Sequence, residues 1–112
     1  MPDDLPIVTF KTRAELRSWL EKNSATHGGV WVRIFKAPSG IDGVTFEDVL
    51  DEGLCFGWSE STRRPGDGES YLQRFTPRRK VGTVSERNRQ HVQRLMSEGL
   101  MTAAGLAALG LA

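Results

Sequence analysis

The residue types best suited to chemistry gather in Arg74-Phe75-Thr76-Pro77-Arg78-Arg79-Lys80, the segment that leads toward Ser85. Guanidinium groups make forked, charge-assisted hydrogen bonds to phosphate or carboxylate. If Ser85 caps a helix, the free N–H groups of its first turn and the positive end of its dipole add to the same attraction. Gly82 lets the chain approach a ligand closely. Arg74, Arg78, Arg79, Lys80 and Ser85 are therefore the expected anion-binding residues. The competing reading is a solvated basic loop with one Arg pairing a carboxylate of the preceding helix. No glycine pattern of the phosphate-loop or dinucleotide-binding kind is present, and no cofactor is expected.

A second group lies in Cys55-Phe56-Gly57-Trp58-Ser59-Glu60. Trp58 could stack on a flat ligand, with Glu60 accepting hydrogen bonds beside it and Tyr71 completing an aromatic and polar set. If residues 56–62 pair with 69–76, Trp58 and Arg74 could share one cleft with an aromatic floor and a basic rim. The alternative is that Trp58 is simply core. Cys55 reads as a buried structural thiol, because a helix C-terminus opposes thiolate formation. His27 and His91 belong to no ligand-spaced set, so no metal is expected, and His91 reads as a surface residue. Glu47, Asp48, Asp51 and Glu52 read as the solvated face of a helix. No acid–base pair, triad or other catalytic set stands out.

These residues sit in a chain of 112 residues that is 38% hydrophobic and 26% charged, proportions that suit one globular domain over 1–112 and suggest neither disorder nor a membrane protein. One cysteine and an acidic, non-apolar start point to a reducing, cytoplasmic setting. Formal net charge is only +1, but residues 1–60 hold six Lys/Arg against ten Asp/Glu, while 61–112 hold nine against four. That asymmetry favours an acidic or anionic partner. Nucleic acid is the weaker reading, since the sequence pI is about 7.9 and no recognition motif is present.

The elements that must position these groups follow from periodicity. Residues 7–10 read as a strand. Thr12, with Glu15 three residues on, opens a helix whose stripe is Leu16, Trp19 and Leu20. Residues 30–36 are largely apolar on both faces and predict a central strand. Thr45 opens a second helix with Val44 and Val49 as a staple, fraying at Gly53 and Gly57. Residues 63–68 have turn chemistry. Tyr71, Gln73 and Phe75 share one face of the strand that follows, and Leu72, Arg74 and Thr76 the other. A third helix starts at Ser85, buries Val92, Leu95 and Met96, and ends at Gly99. Thr102 opens a short fourth. The order β-α-β-α-β-β-α-α predicts an α+β fold, a small mixed or antiparallel sheet with three to four helices packed on it.

Several peptides carry a resemblance: Trp19-Leu20, Gly29-Val30-Trp31-Val32, Leu54-Cys55-Phe56-Gly57-Trp58, Gln73-Arg74-Phe75-Thr76-Pro77-Arg78-Arg79, Asn88-Arg89, and Glu98-Gly99 with Met101 and Gly105. In order and spacing the chain resembles the YdeI/OmpD-associated family of bacterial proteins, sometimes labelled bacteriocin-protection proteins. It departs from that pattern at Ser59-Glu60-Ser61 and at residues 81–85, and it lacks the C-terminal segment of long members. The resemblance implies the fold and a bacterial cytoplasmic setting; it supplies no catalytic residues. The expected function is a non-enzymatic module that binds an anionic ligand or partner. A protein–protein module, as a homodimer, is the alternative.

Overall fold

The computed structural model describes residues 5–79 and 85–111. The elements are β1 (Ile7–Val8), α1 (Arg13–Asn23), β2 (Val30–Phe35), α2 (Phe46–Phe56), β3 (Trp58–Pro65), β4 (Ser70–Pro77), α3 (Glu86–Ser97) and α4 (Ala103–Ala108), with a 3-10 turn at Ala37–Ser39. The fold is α+β, in the predicted order.

Helix starts follow their caps. Thr12 Oγ1 accepts from the Glu15 N–H at 3.2 Å, while the Glu15 carboxylate reaches one residue further back, to the Lys11 N–H at 2.7 Å. Thr45 and Asp48 form a full capping box. Ser85 and Thr102 cap α3 and α4 through their hydroxyls. Gly53 does not fray α2: the helix runs through it to Phe56, and Gly57 ends it in the left-handed conformation, φ 79°. Gly53 serves packing instead. A Cβ there would come 2.9 Å from Phe75 Cε1 and 3.0 Å from the Trp58 carbonyl oxygen.

The strands form one sheet in the order β1-β2-β4-β3. β1 runs parallel to β2; the other two pairings are antiparallel. β2 is interior, as its two apolar faces predict. β3 and β4 form the hairpin, but β3 continues through Arg63 and Arg64 to Pro65, where the residue types predict a turn. A bulge interrupts the ladder between Glu60 and Arg63. Gln73 holds it: this buried side chain donates from Nε2 to the Thr62 carbonyl at 3.2 Å and accepts from Arg63 Nε at 3.2 Å. A buried amide with both ends satisfied fixes local geometry more than it adds stability.

One side of the sheet joins the helices in the core, where Val30, Val32, Ile34, Trp58 and Phe75 meet Leu16, Leu20, Val49, Leu54, Val92, Leu95 and Leu109. Met96 is a correction: it is 53% exposed beside Leu111, so the buried stripe of α3 is Val92 and Leu95 alone. The acids of α2 are a second correction. Asp51 and Glu52 are buried, not solvated, because α1 and α3 close over that side of the helix and bring arginines with them.

Candidate functional site

The sheet divides the expected site residues between its two faces. β4 directs Tyr71, Gln73 and Phe75 toward the core side and Leu72 and Arg74 to the outer side, by simple alternation. Trp58 is the central correction. It is 1% exposed, lies edge-on to Trp19 at 5.7 Å and tilted against Phe75 at 5.0 Å, and donates its indole N–H to the Ser24 carbonyl at 3.2 Å. Surrounded by core side chains, this ring has no face left for a ligand. Glu60 pairs in register with Phe75, on the core side, and Tyr71 lies beneath the Arg63 guanidinium at 4.7 Å. The cleft with Trp58 as floor and Arg74 as rim is therefore not formed.

The remaining candidates scatter. Arg74 stands opposite Trp31 in the β2–β4 ladder. Arg78 donates its backbone N–H to the Gly57 carbonyl at 2.9 Å, and its Nε is buried without a hydrogen-bond partner. Arg79 is exposed. Ser85 accepts the Asn88 N–H at 3.2 Å, the ordinary work of an N-cap. Lys80 and Gly82 lie outside the described residues.

A different constellation occupies the outer face. Trp31, Arg33, Leu72 and Arg74 share that side of adjacent strands, and Arg64, opposite Leu72, joins them from β3. The Arg64 guanidinium lies over the Trp31 ring, 4.3 Å from its centroid. Such a stack contributes on the order of 0.5–1 kcal/mol when exposed and holds the planar cation in place. Arg33 Nη1 donates to Ser70 Oγ at 2.8 Å and reaches an Asp67 carboxylate oxygen at 3.6 Å. Beneath them the Trp31 indole N–H is buried and unpartnered. Among the described residues Arg64 has no carboxylate partner. Sequence reading missed Trp31 and Arg64: the first lay in a strand read as apolar on both faces, the second in a stretch read as turn. The signal that could have found them is register, since Trp31, Arg33 and Leu72, Arg74 alternate in step.

The α1–α2–α3 junction holds a second charged group. Glu52 accepts from Arg13 Nε at 2.6 Å and Arg17 Nη1 at 3.1 Å. Asp51 accepts from Arg94 Nη2 at 2.8 and 2.9 Å and lies 3.1 Å from His91 Nδ1, so His91 is not a plain surface residue. Each carboxylate is matched, which identifies a structural network; an unmatched buried charge would cost several kcal/mol.

Cys55 lies beside this network, fully buried as expected. Burial, and then the Glu52 carboxylate, push its thiol up from 9.0 to about 11, against the opposing pull of Arg17. The folded thiol thus keeps its proton where the unfolded one has lost it, so stability attributable to Cys55 falls as pH rises from about 9 to about 11. Cys55→Ala is expected to flatten the dependence of unfolding free energy on pH in that window, measured by urea titration. An unchanged slope would refute the assignment.

Among the described residues no group of three or more His, Cys, Asp and Glu is placed to hold a metal ion. Nor is any helix long and apolar enough to cross a membrane. No curated protein and no solved structure matches the chain. One family does, over residues 8–108, nearly the whole length of fold and outer face alike: the chain belongs to the family described as a domain of unknown function, DUF8412.

Proposed function

We propose that this protein is a non-enzymatic binding module that recognises an anionic ligand or partner through the outer face of its sheet. Arg64, Arg74 and Arg33 are the contact residues, arranged around Trp31. The observation that carries this is the Arg64 guanidinium held 4.3 Å over Trp31, without a carboxylate partner among the described residues. A planar cation stacked on a ring has lost much of its rotamer freedom already, so less is lost when it grips an anion. The reading keeps Arg74 from the sequence and replaces Trp58 by Trp31. It also takes the chain as cytoplasmic kin of the YdeI/OmpD-associated proteins, on the strength of the LCFGW and RFTPRR runs.

A thermal-shift panel of inorganic phosphate, nucleotides, polyphosphate and acidic peptides at low salt tests it. A ligand at a hundred times its Kd stabilises by about 2.7 kcal/mol, or roughly 10 °C for a domain of this size. The shift should shrink with added salt and vanish in Arg64→Glu. Silence across the panel, or an undiminished response in Arg64→Glu, would overturn the reading.

A second reading has its own observation. Met96 and Leu111 are 53% and 49% exposed and flank a groove that also includes Val92. The exposed Met96 and Leu111, beside Arg89 and Gln93 in the same groove, suit contact with another protein surface, a second copy included. Light scattering showing a strict monomer at high concentration would remove the homodimer version.

A further inference from the structure

The two buried tryptophans differ in what their indole N–H groups meet. Trp58 donates to the Ser24 carbonyl at 3.2 Å. Trp31 is 5% exposed, yet its Nε1 is buried with no acceptor. A buried donor left unpaired carries its full desolvation cost, so an oxygen that reaches it relieves that cost. Trp31 and Leu72 both stand on the outer face, outside the main core cluster. What lies over the Trp31 ring is a side chain, the Arg64 guanidinium, 4.3 Å from the centroid. Arg64 is an exposed residue near the end of β3, and among the described residues its side chain makes no hydrogen bond and no ion pair. The stack on Trp31 holds it, and such a stack at an exposed site is weak enough to be exchanged for another partner.

We propose that the unpaired Trp31 indole N–H and the Arg64 guanidinium over its ring form a site for a terminal phosphate group, a phosphomonoester, with Arg64 as a movable cover. This rests on the anion-binding reading above and names its ligand class. Arg64 lifts from the ring, one phosphate oxygen accepts from Trp31 Nε1, and the guanidinium closes on the other two as a fork. The count of oxygens selects the ligand. A phosphomonoester offers three unsubstituted oxygens and close to two negative charges at neutral pH. A carboxylate or a phosphodiester has two free oxygens and one charge, so turning one inward leaves one for a two-pronged fork. A diester also carries a substituent on either side, which obstructs entry beneath a side chain. Arg33 and Arg74 share the face and add longer-range attraction for a dianion. Arg33 itself stays bonded to Ser70 Oγ, which leaves the grip to Arg64.

The test titrates methyl phosphate, dimethyl phosphate and acetate into isotope-labelled protein at equal ionic strength and about pH 8, where the monoester is a dianion. Binding is read by the indole N–H signals in NMR spectra and by the melting temperature. Trp31→Phe keeps a ring beneath Arg64, removes the donor and assigns the Trp31 signal. The Trp58 signal is the internal reference, since that N–H is already bonded. Methyl phosphate is expected to move the Trp31 signal downfield to saturation, leave that of Trp58 in place and raise the melting temperature. Dimethyl phosphate and acetate should bind about tenfold or more weakly, and Trp31→Phe should weaken methyl phosphate by a similar factor. A Trp31 signal that stays put while the melting temperature rises would overturn the indole contact and leave anion recognition standing. Equal binding of dimethyl phosphate or acetate would overturn the choice of phosphomonoester. No response in either readout, with silence across the nucleotide and polyphosphate panel, would end both. Since the indole signal is read on the unaltered protein, the result does not depend on how the Trp31 variant folds.

Discussion

Gly105→Ala is expected to lower the melting temperature by roughly 12 °C, corresponding to about 3 kcal/mol in a domain of this length. A Cβ at Gly105 would stand 2.2 Å from the Cys55 carbonyl oxygen and 2.6 Å from its carbon. The obstacle is the backbone of α2, which has no rotamer to change. Relief requires α4 to move away. That helix is held by Thr102, which donates both its N–H and its hydroxyl to the same Cys55 carbonyl, and by Leu109, which is buried in the core. Overpacking usually costs about 1–3 kcal/mol, and a methyl driven into a fixed backbone belongs at the top of that range. Gly68→Ala is the control, since nothing lies within 4 Å of a Cβ there. Thermal melts followed by circular dichroism compare the two. Indistinguishable melting points would show that α4 is not seated as described.

Glu52→Gln is the second large effect. The carboxylate is 1% exposed and receives Arg13 and Arg17. Glutamine preserves shape and removes charge, leaving two guanidinium groups against an amide. Breaking a buried pair in this way costs roughly 3–5 kcal/mol. Arg13 and Arg17 retain partial access to water, so the lower end applies, about 3 kcal/mol and again on the order of 12 °C. Glu47→Gln, on the exposed side of the same helix, should stay within about 0.5 kcal/mol. Denaturant melts at low and high salt decide the matter, because a buried pair is screened little. A Glu52→Gln protein as stable as Glu47→Gln would reduce the network to surface decoration.

Local chemistry made most of the fold readable. Thr12, Thr45, Ser85 and Thr102 each mark a helix start, Gly57 and Gly99 adopt the left-handed conformation at helix ends, and the largely apolar run from Val30 to Phe35 is the interior strand. What failed to read was everything decided at long range. Helical spacing puts Asp51 and Glu52 on a polar stripe; only the arrival of Arg13, Arg17 and Arg94 from other helices makes that stripe interior. Trp58 and Arg74 looked like partners because the hairpin brings their strands together, but pairing also assigns each to a face, and Trp58 falls opposite Pro77 while Arg74 falls opposite Trp31. The turn chemistry of residues 63–68 concealed two strand arginines, since Pro65 can end an outer strand as readily as it opens a turn.

The single residue Gly57 between α2 and β3, and the short connection at 66–69, make residues 46–77 a unit joined almost without slack. Bringing these pieces together closes only small loops, which costs little chain entropy. β2 must instead find β4 across some forty residues, with Val30 opposite Phe75. The order of assembly is thereby biased: the helix–hairpin unit offers the cheap early encounter, and docking of the first thirty-five residues sets the pace.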